Sequence, residues 1–297
     1  MHKKYIYVMW ASALFILLST PWFFWEWIAG FSDANILYPK TLSIQENPTL
    51  QVSEEEQRWL TDFLSQTFTW LDQGRQVCVF ASPDGKYVLK VFKFGRLKPS
   101  FLEQYGAHIP WLRDYSAQLR TQRLRRLNLL FSGYQLAYEE NQRYTGMRYI
   151  HLQPSRQWDK PLILKDRLGF AHTLSPNDIC FAIQKKGVKT HAVLTQLLEK
   201  GDLETVKQRI DQIFEMYHAE YAQGILDGDH NILQNTGFMD GQPMRLDIGQ
   251  LHWATENDDT FQAILQKIAE KRIYQWLQAH YPVAAHQLQE KVIKSEG

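Results

Sequence analysis

Hydrophobic and polar positions change their pattern several times along this chain. After Met1-His2-Lys3-Lys4 no charged residue occurs from Tyr5 to Trp25. As a helix, that stretch would cross about 30 Å of hydrocarbon. Trp22, Phe23, Phe24, Trp25 and Trp27 crowd its far end, where aromatic belts sit at a membrane surface. Lys3 and Lys4 precede it and Glu26 and Asp33 follow. The positive-inside rule therefore predicts a single span through residues 5–25, with the N-terminus cytoplasmic and the rest of the chain on the far side. A cleavable signal peptide with a small-residue site at Ser32-Asp33-Ala34 is the competing reading. Its apolar region should be shorter, about 7–15 residues.

Beyond the apolar segment the periods become those of a folded domain. Ile36 to Gln51 has no clear period and contains Pro39 and Pro48, as a linker would. Ser53-Glu54-Glu55-Glu56 makes a capping box ahead of Trp59, Leu60, Phe63 and Leu64, which predicts a short amphipathic helix. Two apolar runs, 76–80 and 86–92, flank Ser82-Pro83-Asp84-Gly85 and predict a hairpin. Residues 100–130 read as mostly helical, broken into two pieces by Gly106 and Pro110. Strand-like runs follow at 134–138, 148–152, 162–164 and 179–183. A helix is predicted over 188–199, and another from Leu203 through Ile210, Ile213 and Tyr217 until Gly224 stops it. Phe261, Ile264, Leu265, Ile268, Tyr274 and Leu277 mark one closing helix that ends near Pro282, and 286–293 a second.

Strands early and helices late predict an α+β fold of two lobes. The divisions fall at an anchor over 1–30, a linker over 31–52, a β-rich lobe with helices over 53–187 and a mainly helical lobe over 188–297. Gln184-Lys185-Lys186-Gly187 is where the hinge should lie.

Composition narrows the classes. The 297 residues are 44% hydrophobic and 13% aromatic, which suits a packed core. Lys and Arg number 33 against 32 Asp and Glu, a net charge of +1, so charge gives no argument for a nucleic-acid partner. Cys78 and Cys180 sit in apolar runs and make no disulfide framework. No Cys/His cluster has zinc spacing. One run stands out: Arg113, Arg120, Arg123, Arg125 and Arg126, a solvated helix face that also suits acidic lipid or phosphate.

The chemistry concentrates in two acidic loops, each following an apolar stretch. The first reads Gly224-Ile225-Leu226-Asp227-Gly228-Asp229-His230-Asn231 and runs on to Asn235-Thr236-Gly237-Phe238; the second reads Arg245-Leu246-Asp247-Ile248-Gly249. Phosphoryl transfer needs such a pair, one carboxylate to orient the nucleophile and one to hold Mg²⁺ against phosphates. In order and spacing these residues resemble the protein-kinase-like superfamily in its broad sense, which includes aminoglycoside phosphotransferases and HipA-type kinases. The resemblance runs from about Leu71 to Leu251. It implies that Asp229 is the catalytic aspartate, that Asn235 and Asp247 hold Mg²⁺, and that Lys90 in Val88-Leu89-Lys90 pairs with the phosphates of ATP. Asn231, or the pair Asp227 and Asn231, is an alternative working set, because Asn235 stands one residue further from Asp229 than the family places it. Gly74 is the sole glycine where the family has a glycine-rich loop. Glu103, the candidate partner for Lys90, also fits a capping box begun by Ser100.

The resulting expectation is a two-lobed kinase-like domain behind one transmembrane helix, transferring phosphoryl groups from a Mg²⁺-bound nucleotide. The alternative is a pseudokinase-like binding module without turnover, tethered to a membrane.

Overall fold

The structure, a computed structural model, describes residues 29–39, 52–256 and 258–293. It is a mixed α+β protein. By the density of internal contacts the described chain forms two units, one of residues up to 98 together with 151–182, the other of 99–150 together with 183 onward.

In the first unit Ser53 caps α2 (Glu54–Leu64) by accepting the Glu56 N–H at 3.2 Å, as the capping box predicts. Ahead of it lies a single helical turn, α1 (Asp33–Ile36). Strands β1 (Thr67–Gln73), β2 (Val77–Ala81) and β3 (Tyr87–Phe92) form an antiparallel meander. Asp84 closes the β2–β3 turn, accepting from the Ser82 hydroxyl at 2.6 Å and the Lys86 N–H at 3.0 Å. β5 (Leu162–Lys165) runs parallel to β1, and β6 (Ala171–Leu174) antiparallel to β5. Two further strands, β4 (Met147–His151) and β7 (Phe181–Lys185), carry the chain from one unit to the other. They complete a seven-stranded sheet in the order β4-β7-β3-β2-β1-β5-β6. Phe68, Phe80, Leu89, Phe92 and Leu60 are wholly buried in the first unit's core.

Residues 29–39 dock on that sheet. Phe31 is buried against Phe80, Trp70 and His172, and Leu37 bridges to Ile179. His172 faces a carboxylate at each ring nitrogen, Asp33 at 2.9 Å and Asp166 at 3.1 Å.

His151 is the costly residue of this unit. Its Nδ1 lies 3.4 Å from the Gln157 amide, its ring leans on Phe181, and its buried Nε2 has no hydrogen-bond partner among the described residues. Burial pushes its pKa down from 6.5 to about 4. Below pH 6.5 the unfolded chain therefore takes up a proton that folded His151 resists. Stability is full above that pH and falls by up to about 3 kcal/mol as pH drops toward 4. Chemical unfolding of the full chain at pH 7 and pH 4.5 should show this loss, and His151→Phe should show a smaller one. An unchanged loss in the variant would contradict the assignment.

The second unit is built on helices. α3 (Phe101–Tyr105) is capped by Ser100, which accepts the Glu103 N–H at 3.2 Å. α4 (Arg113–Glu139) is followed by the short α5 (Gln142–Thr145). The run 134–138, expected as a strand, is the last part of α4. Leu127, Leu130, Phe131, Tyr134 and Ala137 recur at the helical period and are all buried. β8 (Val188–Lys189) leads into α6 (Thr190–Glu199) and α7 (Leu203–Ala222). Four short strands and a turn of helix follow: β9 (Ile225–Asp227), α8 (Ile232–Asn235), β10 (Thr236–Met239), β11 (Gln242–Arg245) and β12 (Leu251–Trp253). The single closing helix expected over 261–277 is interrupted. α9 (Phe261–Ile268) passes through a π-helical stretch, Ala269–Tyr274, into α10 (Gln275–His280), and Pro282 begins α11 (Pro282–Ile293). Leu194, Val206, Ile213, Ile232, Ile264 and Leu277 share the core of this unit.

One expectation is corrected. Among the described residues no helix is long and apolar enough to cross a membrane. α4 is long, but its first half carries Arg113, Asp114, Arg120, Arg123, Arg125 and Arg126. A two-lobed kinase-like domain behind a single transmembrane helix therefore gives way to the coarser description, a mixed α+β chain. The single-pass placement with a cytoplasmic N-terminus is withdrawn with it. The segment Tyr5–Trp25, on which that placement rested, lies outside the described residues.

Candidate functional site

The two acidic loops meet because the strands around them pair. Gly224, with φ of +77°, ends α7 and turns the chain into β9. β9 pairs antiparallel with β12, Asp227 opposite Leu251. The segment between them therefore leaves and returns at neighbouring positions, and the Gly228 N–H donates to the Gln250 carbonyl at 3.1 Å. Within that segment β10 and β11 form a hairpin with Thr236 opposite Arg245. Its turn, Asp240-Gly241, has positive φ at both residues, the conformation that an Asp-Gly pair favours in tight hairpins. This returning hairpin brings Asp247 back beside Asn235.

The contacts are specific. The Asn235 carbonyl accepts from the Leu246 N–H at 2.7 Å and the Asp247 N–H at 3.0 Å. Asn235 Nδ2 donates to the Asp229 carbonyl at 3.3 Å. Asp229 Oδ1 accepts the Asn231 N–H, and Asp247 Oδ1 the Gly249 N–H, each at 3.2 Å. Asp229, Asn235 and Asp247 thus converge, Asn235 buried, Asp229 half-buried and Asp247 exposed. Lys90 belongs to the other unit. It lies buried on β3 in the first unit, opposite Val79. Glu103 instead forks onto Arg123 at 2.6–3.0 Å.

Beneath the loops lies a buried ionic hub that sequence reading missed. Arg245 is 1% exposed. Its Nε and Nη2 grip Glu220 at 2.7–3.2 Å, and Nη1 reaches Asp227 and, at 3.0 Å, the Tyr217 hydroxyl. The guanidinium lies 4.0 Å from the centre of the Tyr217 ring. Asn141 donates to Glu220 at 2.7 Å, and Gln184 donates to the Arg245 carbonyl at 2.7 Å. Asp227 Oδ1 accepts the Asp229 N–H at 3.0 Å, so Asp227 uses both oxygens inside the protein. Burial pushes the Asp227 carboxyl up to about 6 against the pull of Arg245, and the nearby charges of Asp247 and Glu220 add to the rise. Burial, with the Asp247 charge, also raises the Tyr134 phenol well above its ordinary value. A sequence signal for the hub existed. Glu220 continues the buried stripe of Ile213 and Tyr217 on α7, and Arg245 sits in the otherwise apolar Pro243-Met244-Arg245-Leu246.

The loop carrying Asp247 also rests on α4. A Cβ on Gly133 would stand 2.7 Å from the Ile248 carbonyl and 3.1 Å from that of Leu251. Gly133→Ala should therefore push this loop away and cost about 1–3 kcal/mol. Thermal unfolding of the variant measures it. A gain in stability from the better helix former would show that the helix is not in close contact here.

Among the described residues no group of three or more His, Cys, Asp or Glu side chains is placed to hold a metal ion. Asp247 and Asn235 offer one carboxylate and one amide oxygen. That fits Mg²⁺, a hard cation that keeps waters and takes further oxygens from bound phosphates.

Comparison with known proteins adds little. No protein-family profile matches the chain, and no curated protein matches it. One solved structure that it resembles weakly is Rv3197 from Mycobacterium tuberculosis, described in complex with erythromycin. The identity is 15% and the TM-score 0.35, over 66% of this chain and 48% of that one, so the chain spans about half of that protein's length. A likeness this low does not establish a kinase-like fold, and the kinase-like and nucleotide-binding labels drawn from the motifs find no support in it.

Proposed function

We propose that the corner formed by Asp229, Asn235 and Asp247 serves Mg²⁺-dependent phosphoryl transfer from a nucleotide, with ATP as the expected donor. The supporting observation is the double hydrogen bond from the Leu246 and Asp247 N–H groups to the Asn235 carbonyl, which holds the two acidic loops side by side. Asp247 and Asn235 would supply protein oxygens to Mg²⁺. The bound ion would neutralise phosphate charge. Asp229 would accept or orient the hydroxyl proton of the acceptor, held in place through its own N–H by Asp227.

A second reading, a nucleotide-binding module without turnover, has one observation in its favour. The connection from β1 to β2 is a tight turn with Gly74 as its one glycine, its N–H bonded to the Val77 carbonyl at 2.9 Å, where an active enzyme of the resembled kind would carry a glycine-rich loop. Incubating the full chain with Mg²⁺ and ATP separates the two. Release of ADP, lost in Asp229→Asn, supports transfer. Binding without ADP release supports the module. Neither binding nor release contradicts both.

A further inference from the structure

Six of the large hydrophobic side chains exposed among the described residues fall within residues 101–129: Phe101, Leu102, Tyr105, Trp111, Tyr115 and Leu129. The others are scattered through the rest of the chain. Trp111 and Phe101 are the most exposed aromatics among the described residues, at 81% and 74%. Phe101 and Tyr105, one helical turn apart on α3, lean together with ring centroids 4.6 Å apart. On α4, Tyr115, Arg126 and Leu129 recur on one face at the helical repeat, and the buried Ser116, Leu127 and Leu130, each one residue further on, form the adjoining face.

The charge in this stretch has one sign. Arg113, Arg120, Arg125 and Arg126 are exposed. Arg123 and Glu103 neutralise each other, which leaves Asp114 as the lone further acid. Trp and Tyr rings have an apolar body and a polar tip, which suits the plane between lipid headgroups and acyl chains. Arginine binds phosphate through two N–H groups at once. The side chains stand outward, so they need no matching pocket in a partner, only a medium that yields.

We propose that α3, the turns at 106–112 and the first half of α4 form a docking surface for an anionic lipid bilayer, with Trp111 and Phe101 entering the headgroup layer, Arg126 on the face of Tyr115 and Leu129 engaging lipid phosphates, and Arg113, Arg120 and Arg125, spread round the helix, adding longer-range attraction to the anionic surface. This does not depend on the segment Tyr5–Trp25 or on the phosphoryl-transfer reading.

The test uses the full chain carrying one environment-sensitive fluorophore at Trp111→Cys or, as a control, at Val283→Cys, an exposed apolar position on α11. Cys78 and Cys180 are buried, so the label goes to the introduced thiol. Vesicles contain spin-labelled lipid in either phosphatidylglycerol or phosphatidylcholine. The expected result is quenching at position 111 but not at 283, stronger in the anionic vesicles. Arg120→Gln, Arg125→Gln and Arg126→Gln combined should lower the anionic vesicle affinity read at position 111 by about 100-fold at low salt. Equal quenching at both sites, no preference for anionic lipid, or a concentration-dependent shift at 111 without vesicles would overturn the proposal. The last would mark a surface for a second copy of the chain.

Discussion

Arg245→Met is expected to destabilise the second unit by about 3–5 kcal/mol, the loss that follows when one member of a buried ionic cluster is removed. Methionine fills much of the space, but Glu220 and Asp227 remain, each nearly unexposed and each left without its cation. The deficit should shrink as pH falls, because Asp227 can then take up a proton. The Asp227 carboxyl already stands at about 6 with Arg245 beside it. Without the guanidinium it rises further, and a raised carboxyl pKa favours the folded state at low pH. Arg245→Lys should fall between, keeping the charge but losing the fork that holds Glu220 and Asp227 together. Hydrogen exchange at the amides of β9, β11 and α7 reads the change where it arises. A loss below about 1 kcal/mol at pH 7, or one that grows on acidification, would mean that the hub does not carry the acidic loops.

Much of the first unit was legible because its signals are local. The Ser53 capping box and the Ser82-Pro83-Asp84-Gly85 turn lie within a few residues of the elements they fix, and both occur as read. The Ser100 cap likewise holds, and its Glu103 turns to Arg123 rather than serving as the partner for Lys90 that the resemblance suggested. Misreadings arose where the determinant is distant. Tyr134 to Tyr138 has a tyrosine at each end of a short, mostly apolar run, yet these residues complete a helix whose apolar buried stripe runs from Leu127. β8 to β12 are two to four residues long, too short for an alternation to show. At the candidate site, motif spacing points to Asp229, Asn235 and Asp247, and the backbone bonds of Asn235 bring the three together. No such spacing points to the hub of Glu220, Asp227 and Arg245. Its members come from a helix and two strands, and no local period reports that Arg245 reaches back to α7.

Asp247→Asn carries the second large expected effect. The Asp247 carboxylate is exposed, and its fold contact is the Gly249 N–H, which an asparagine oxygen can still accept. The substitution should therefore leave stability within about 0.5 kcal/mol of the parent, as surface changes usually do. It removes the negative charge that faces the cation, so Mg²⁺-dependent nucleotide affinity should fall by about 10–100-fold. Asp229→Asn should leave that affinity in place and abolish ADP release, since Asp229 acts on the acceptor hydroxyl and not on the metal. Equal effects of the two variants on affinity would remove the division of roles between the loops.

Titrating ATP into the full chain with and without Mg²⁺, by calorimetry, tests the central claim most directly. The arrangement of Asp229, Asn235 and Asp247 predicts saturable binding that requires Mg²⁺ and is lost in Asp247→Asn. Absence of binding under both conditions, or binding of equal strength in Asp247→Asn, would contradict it.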